Sequence, residues 1–222
     1  PTLFTAKLAA DALADREAAA IDHFSDRAQP RTESIVDANA FVGNWAFRDV
    51  DATPEDLVAM MDRKGVDRAV VSSLESAMYR NAHAGNVKLN EAIEGHRDRL
   101  IPFATINPTY PAWEADLEEC VEEFGFQGVR LLPAYHDYDV DDPAVVDLLD
   151  RCAELDIPAM FVATLEDQRG RHWRVNLRDI GGNAKHWGAG TANEFVSVLQ
   201  DSPEADVIIA NGRFIGADVI KD

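Results

Sequence analysis

The chain has 222 residues and carries 21 Lys and Arg against 40 Asp and Glu, a formal charge of −19, with 46% apolar residues. That length suits one large domain or two small ones with a sizeable core, and it excludes a disordered or collagen-like chain. The basic residues are 16 Arg and 5 Lys, and 25 of the acids are Asp. So acidic a surface argues against nucleic-acid binding; it is expected of a protein kept soluble by charge in a salt-rich, halophilic cytosol, with an ordinary acidic mesophile protein as the alternative.

The first element predicted is a helix over residues 4–27, Ala-rich with Leu8, Leu13, Ile21 and Phe24 near helical spacing and Pro30 just beyond. It makes residues 1–33 a helical extension ahead of a main domain at 34–222. From there short β-branched runs alternate with amphipathic stretches. Strands are predicted at 34–41, 68–74, 100–107, 127–133, 157–164 and 205–211.

Helices are predicted between them at 54–64, 84–96, 112–124, 143–155 and 191–200. Thr53 with Pro54, Asp142 with Pro143, and Thr191 supply start signals, and Gly65 and Gly125 supply left-handed stops. Six β–α steps with nearly all-apolar strands imply a parallel sheet buried on both faces. The loop after the first strand, FVGNWAFRD, lacks the GxGxxG that a dinucleotide-binding sheet would carry. The fold class is therefore α/β, a (β/α)8 TIM-type barrel of which six units are visible. About 250 residues is typical of eight units, so either the last two units lie beyond residue 222, or the barrel is open, or a partner closes it.

Cys120 and Cys152 fall in separate predicted helices without CxxC spacing, and no secretory apolar core is evident. A reduced, cytoplasmic compartment is expected. No apolar run approaches the roughly 18 residues of a membrane span, so no membrane partner is expected.

In a parallel barrel the chemistry sits at the carboxyl ends of the strands. Period-two alternation places Asp37, Asn39 and Phe41 on one face of the first strand and Arg130 and Leu132 on one face of the fourth. It places Met160, Val162 and Thr164 together on the fifth. An inward Arg130 needs an anion: Asp37 or Glu166 as structure, or a substrate carboxylate as function.

IVDANAFVG at 35–43, FATINP at 103–108, GVRLLP at 128–133 and DDPAVVDLLDRCAELDIPAMFVAT at 141–164 resemble the amidohydrolase-related family of TIM-barrel metal-dependent hydrolases and decarboxylases. The resemblance runs over about 34–211. It implies a His-x-His metal pair on the first strand, where Asn39 and Phe41 stand, and further imidazoles where Val162 and Asn211 stand. The metal-binding Asp it implies on the eighth strand falls beyond residue 222. Phe and Val cannot bind metal, so the usual metal site is expected to be absent, and the chain resembles a degenerate branch of the family.

What remains is a polar set on three loops that open on one face. Trp45, Phe47 and Arg48 follow the first strand; Tyr135, His136 and Tyr138 follow the fourth; Glu166, Asp167, Arg169, His172 and Trp173 follow the fifth. The first reading is a hydrolase or related lyase for a small anionic substrate without a tightly held metal. Arg48 and Arg130 would clamp a carboxylate, His136 or His172 would be the general acid or base, and Glu166 or Asp37 would orient it. Asn39, Tyr135, Arg169 and Asn211 would complete substrate binding. A second reading relocates a hard divalent cation to Asp37, Glu166, Asp167, His136 or His172. A third is a catalytically inactive barrel kept as a binding or assembly subunit, the N-terminal helix serving as its arm. A homo-oligomer is expected.

Overall fold

The structure is a computed structural model. It describes residues 34–45, 51–162 and 192–210. The helix expected at 4–27, Thr191 and Thr164 lie outside the described residues.

Strand β1 (Val36–Asn44) opens the fold and is crossed at its far end by a two-residue antiparallel strand, β2 (Asp51–Ala52), which sequence alternation does not reveal. Helix α1 (Pro54–Lys64) has the predicted bounds. The Thr53 hydroxyl accepts from the Asp56 N–H at 3.1 Å, and Gly65 ends the helix at φ 66°. Acidic Glu55 and Asp56 in its first turn and basic Arg63 and Lys64 in its last complement the helix dipole. Its buried face is Pro54, Leu57 and Met61.

Strand β3 (Arg68–Ser73) leads through a 3-10 turn (Glu75–Ala77) to helix α2 (His83–Ala92). The helix predicted to reach residue 96 stops at Ala92, and a 3-10 turn (Glu94–His96) with Gly95 at its centre follows. Glycine, without a Cβ to restrict the backbone, is a weak helix former.

The strand predicted at 100–107 divides. Strand β4 (Leu100–Pro102) pairs with β3, and β5 (Ala104–Thr105) pairs with β6 (Val129–Leu131). The exchange occurs at Phe103, whose N–H bonds the Val71 carbonyl at 2.8 Å while the Ala104 N–H bonds Gly128 at 2.9 Å. Helix α3 (Trp113–Glu118) widens into a π-helical turn (Glu119–Glu123) before Gly125 at φ 67°. After β6 come a one-turn helix, α4 (Pro133–His136), and α5 (Pro143–Glu154). The Asp142 carboxylate caps α5 through the Ala144 N–H at 2.9 Å. Strand β7 (Ala159–Val162), helix α6 (Ala192–Asp201) and strand β8 (Val207–Ala210) complete the described chain.

Apart from β2, every pairing among the described strands is parallel, in two four-stranded sheets, β2-β1-β3-β4 and β5-β6-β7-β8, joined through Phe103. The strands follow chain order without reversal. A doubly wound sheet requires a reversal, so the arrangement is that of a (β/α) barrel. Two cores lie on its two sides. The outer one joins sheet to helices through residues such as Ala69, Val71, Leu100, Leu131, Leu148 and Phe161. The inner one is Val70, Ala77, Phe103, Leu132, Met160 and Val162, with Trp45, Met78 and Tyr135 packed against it. Full burial of one such aliphatic or aromatic side chain contributes about 1.5–3 kcal/mol. No described helix is long and apolar enough to cross a membrane.

One alternation prediction fails. Asp37 is registered beside Ala69, but Ala40 is registered beside Val71, so β1 carries one extra residue there. Ala69 and Val71 both belong to the outer core. A single extra residue moves everything after it to the other face. Asn39 and Phe41 therefore turn inward without Asp37, which is exposed and accepts the Asn39 N–H at 2.9 Å.

Candidate functional site

Arg130 is the middle residue of β6, registered between Thr105 of β5 and Met160 of β7, and it is fully buried. Period-two geometry puts it on the inner side with Leu132, and its length carries the guanidinium across to β1 and β3. There Nη1 donates to the Asn39 carboxamide oxygen at 3.0 Å and to the Ala40 carbonyl at 3.1 Å. Nη2 makes a longer bond of 3.4 Å to the Val70 carbonyl. The guanidinium carbon lies 4.3 Å from the centre of the Phe41 ring, a cation–π stack.

No carboxylate among the described residues ion-pairs with this cation. The sequence offered Asp37 or Glu166 as its structural partner. The contacts are instead a neutral amide, main-chain carbonyls and a ring, with Asp37 acting only through its field. Glu166 lies outside the described residues. Burial lowers the Arg130 pKa to about 9, against a smaller upward pull from Asp37, so it keeps its proton at neutral pH. Its Nε is buried and finds no acceptor among the described residues.

The rim is aromatic. Trp45, just beyond β1, meets Tyr135 of α4 edge to face, with ring centroids 6.1 Å apart. Both are half-buried and rest on the inner core. His136 closes α4 and is buried. Its Nε2 donates to the Ser76 carbonyl at 2.9 Å, within the 3-10 turn after β3. That bond leaves Nδ1 as the acceptor nitrogen, buried and unpartnered among the described residues. Burial pushes the imidazole pKa down, outweighing the upward effect of the Ser76 carbonyl.

Asn39, Arg130, Tyr135 and His136 are thus gathered on the inner core and the turn beside it, while Asp37 stands apart. Arg48, Glu166, Asp167, Arg169, His172 and Asn211 lie outside the described residues. Four contributors fall outside the site the sequence predicts. The carbonyls of Ala40 and Val70 have no side-chain signal. Phe41 shared the predicted face of Asn39, and only the reach of Arg130 reveals it as a stacking partner. Asn86 of α2 holds both the N–H and the carbonyl of Thr105, each at 2.9 Å, and so fixes the end of β5 beside Arg130.

The metal implied by the resemblance does not fit at β1. The Asn39 carboxamide oxygen is engaged by a cation, Phe41 offers no lone pair, and a divalent ion there would meet the guanidinium at contact distance. Among the described residues no group of three or more His, Cys, Asp or Glu is placed to hold a metal.

No curated protein matches the chain. By structure it is similar to 2,6-dihydroxybenzoate decarboxylase from Rhizobium, at 15% identity and a TM-score of 0.58, over 80% of this chain and 66% of that one. It is similar to 5-carboxyvanillate decarboxylase from Novosphingobium aromaticivorans, solved with bound manganese, at 15% identity and a TM-score of 0.59, over 80% and 66%. A third similar structure is 4-oxalomesaconate hydratase from Rhodopseudomonas palustris, at 22% identity and a TM-score of 0.50, over 71% and 47%. The chain spans about two thirds of the length of the two decarboxylases and about half that of the hydratase. These likenesses establish the shared fold. The sequence itself matches the amidohydrolase family over residues 17–212, and the chain belongs to that family.

Proposed function

We propose that the protein is a hydrolase or related lyase acting on a small anionic substrate, in which Arg130 rather than a metal on β1 supplies the positive charge. The observation that carries this reading is the unspent edge of the guanidinium. Nη1 is committed to Asn39 and Ala40, while Nε has no described acceptor and Nη2 only a long one. A carboxylate binds an Arg edge through two parallel charge-assisted hydrogen bonds. An apolar cluster lies on the same side of the sheet, beside the buried Ser72 and Thr105, and the rim is aromatic, so a charge interaction made there is stronger than in water.

In this reading His136, neutral with a bare Nδ1, is a proton acceptor, and Asp37 acts by holding Asn39 in place. Arg48, Arg169, His172, Glu166 and Asn211 would join from the loops and strand end where the sequence puts them. The free, buried Cys120 and Cys152 agree with a reduced cytoplasm, and a homo-oligomer in a salt-rich cytosol completes the proposal. A second reading, an inactive barrel kept for binding or assembly, is favoured by one observation. His136 is buried with Nε2 already bound to Ser76.

Titration calorimetry with benzoate, malonate and oxalate tests the anion site. At least one should bind the wild-type protein and weaken by about tenfold or more in Arg130→Lys, which keeps the charge but loses the fork. Binding of none, or equal binding to both proteins, ends the proposal.

A further inference from the structure

The cation at the centre of the inner core is surrounded in a way that an anion site alone does not require. Two carbonyl oxygens and one carboxamide oxygen accept from the guanidinium, and the face of a ring lies against it. All four are electron-rich and none carries a formal charge. Such a shell suits a permanent single positive charge that must be held in place without being neutralised.

We infer that Arg130 is a resident cation occupying the β1–β6 centre in place of a metal ion, with Asn39 and Phe41 as its cradle, and that it closes this centre to divalent cations. The inference deepens the anion-site reading and rests on it for the chemistry, although its test does not. Asn39 and Phe41, the two positions of β1 where the family resemblance implies imidazoles, are both given over to the guanidinium, one by hydrogen bond and one by stacking. A doubly charged ion introduced beside the fully buried guanidinium meets like-charge repulsion that is weakly screened at a buried cation.

The substitution changes what the centre can do. A metal ion lowers the pKa of a bound water and so generates hydroxide at neutral pH. A guanidinium holds and polarises an oxyanion but leaves water intact. Any water activated here must lose its proton to a side chain. The charge is also independent of metal supply.

The test is metal binding, measured by calorimetry with zinc chloride and manganese chloride and by elemental analysis after dialysis. Restoring the imidazole pair with Asn39→His and Phe41→His should leave zinc binding no tighter than in the wild-type protein while Arg130 is present. Adding Arg130→Met to that pair should tighten it at least about tenfold, since the like charge is then gone. Equal zinc binding with and without Arg130 would overturn the inference.

Asn39→Asp provides an arm that does not depend on the triple variant folding. Its carboxylate should pair with Arg130 and raise the melting temperature without metal uptake. One equivalent of manganese bound by the wild-type protein, or by Asn39→Asp, would also overturn the inference. Loss of all carboxylate binding with metal exclusion intact would remove the functional reading and leave this one standing.

Discussion

His136 shows how a single side chain couples the fold to pH. Its ring is buried, Nε2 is spent on the Ser76 carbonyl and Nδ1 has no described partner, so a second proton would bring an unsolvated charge into the interior. The folded pKa accordingly lies below the ordinary value of about 6.5. Between those two values the unfolded chain binds a proton that the folded chain refuses. The contribution of this group is therefore fully present above about pH 6.5 and is lost as pH falls toward the lowered folded pKa. Urea denaturation at pH 7.5 and 5.5 should show the wild-type protein losing more stability on acidification than His136→Gln does. Identical losses would show that this ring is not the source. At the same scale, the sequence makes Arg130 legible as an anomaly, because an Arg in an apolar strand must be paired. Its partner is not legible. Choosing Asn39 over Asp37 depends on one extra residue in β1, and that extra residue exists only relative to the neighbouring β3, which no single segment encodes.

The elements divide in the same way between what is local and what is not. Thr53 on α1, Asp142 on α5, and the stops at Gly65 and Gly125 follow from a side chain or a glycine acting on its own few residues, and all four stand where the sequence puts them. The exchange of partners at Phe103 is set by bonds to distant segments, and the π-helical turn after α3 carries no residue signal of its own, so the sequence reads each as one continuous element. Helix α2 depends on such packing. A Cβ added at Gly85 would lie 2.9 Å from the Ser76 backbone nitrogen and nearer still to the Ser76 hydroxyl. That hydroxyl is in turn bonded to the Ala82 carbonyl at 2.8 Å, and the Ser76 carbonyl anchors His136. Gly85→Ala should destabilise the protein by about 1–3 kcal/mol in urea despite the better helix propensity of Ala, because the buried Ser76 and Ser73 hydroxyls and the Ser76 backbone must all move. An increase in stability would show that the turn shifts freely and that α2 does not clamp it.

For the molecule as a whole, −19 charges on 222 residues make self-repulsion a term of the folding balance. At about 0.1 M salt the screening length is near 10 Å, and it shortens to about 3 Å at 1 M. Raising KCl from 0.1 to 2 M should raise the melting temperature followed by far-UV circular dichroism. A loss of signal or a falling midpoint would remove the high-salt reading. The barrel class is legible at this scale because strand and helix patterns alternate six times, whereas the two cores become distinct only once the strands are paired. Chain-order pairing has a further consequence for how the molecule is made. Within each sheet, each parallel strand lies beside the parallel strand before it in the sequence, so none of these pairings has to wait for a strand synthesised much later. A nascent chain leaving the ribosome amino end first can lay down β1, β3 and the strands after them in turn, each growing edge serving as the template for the next.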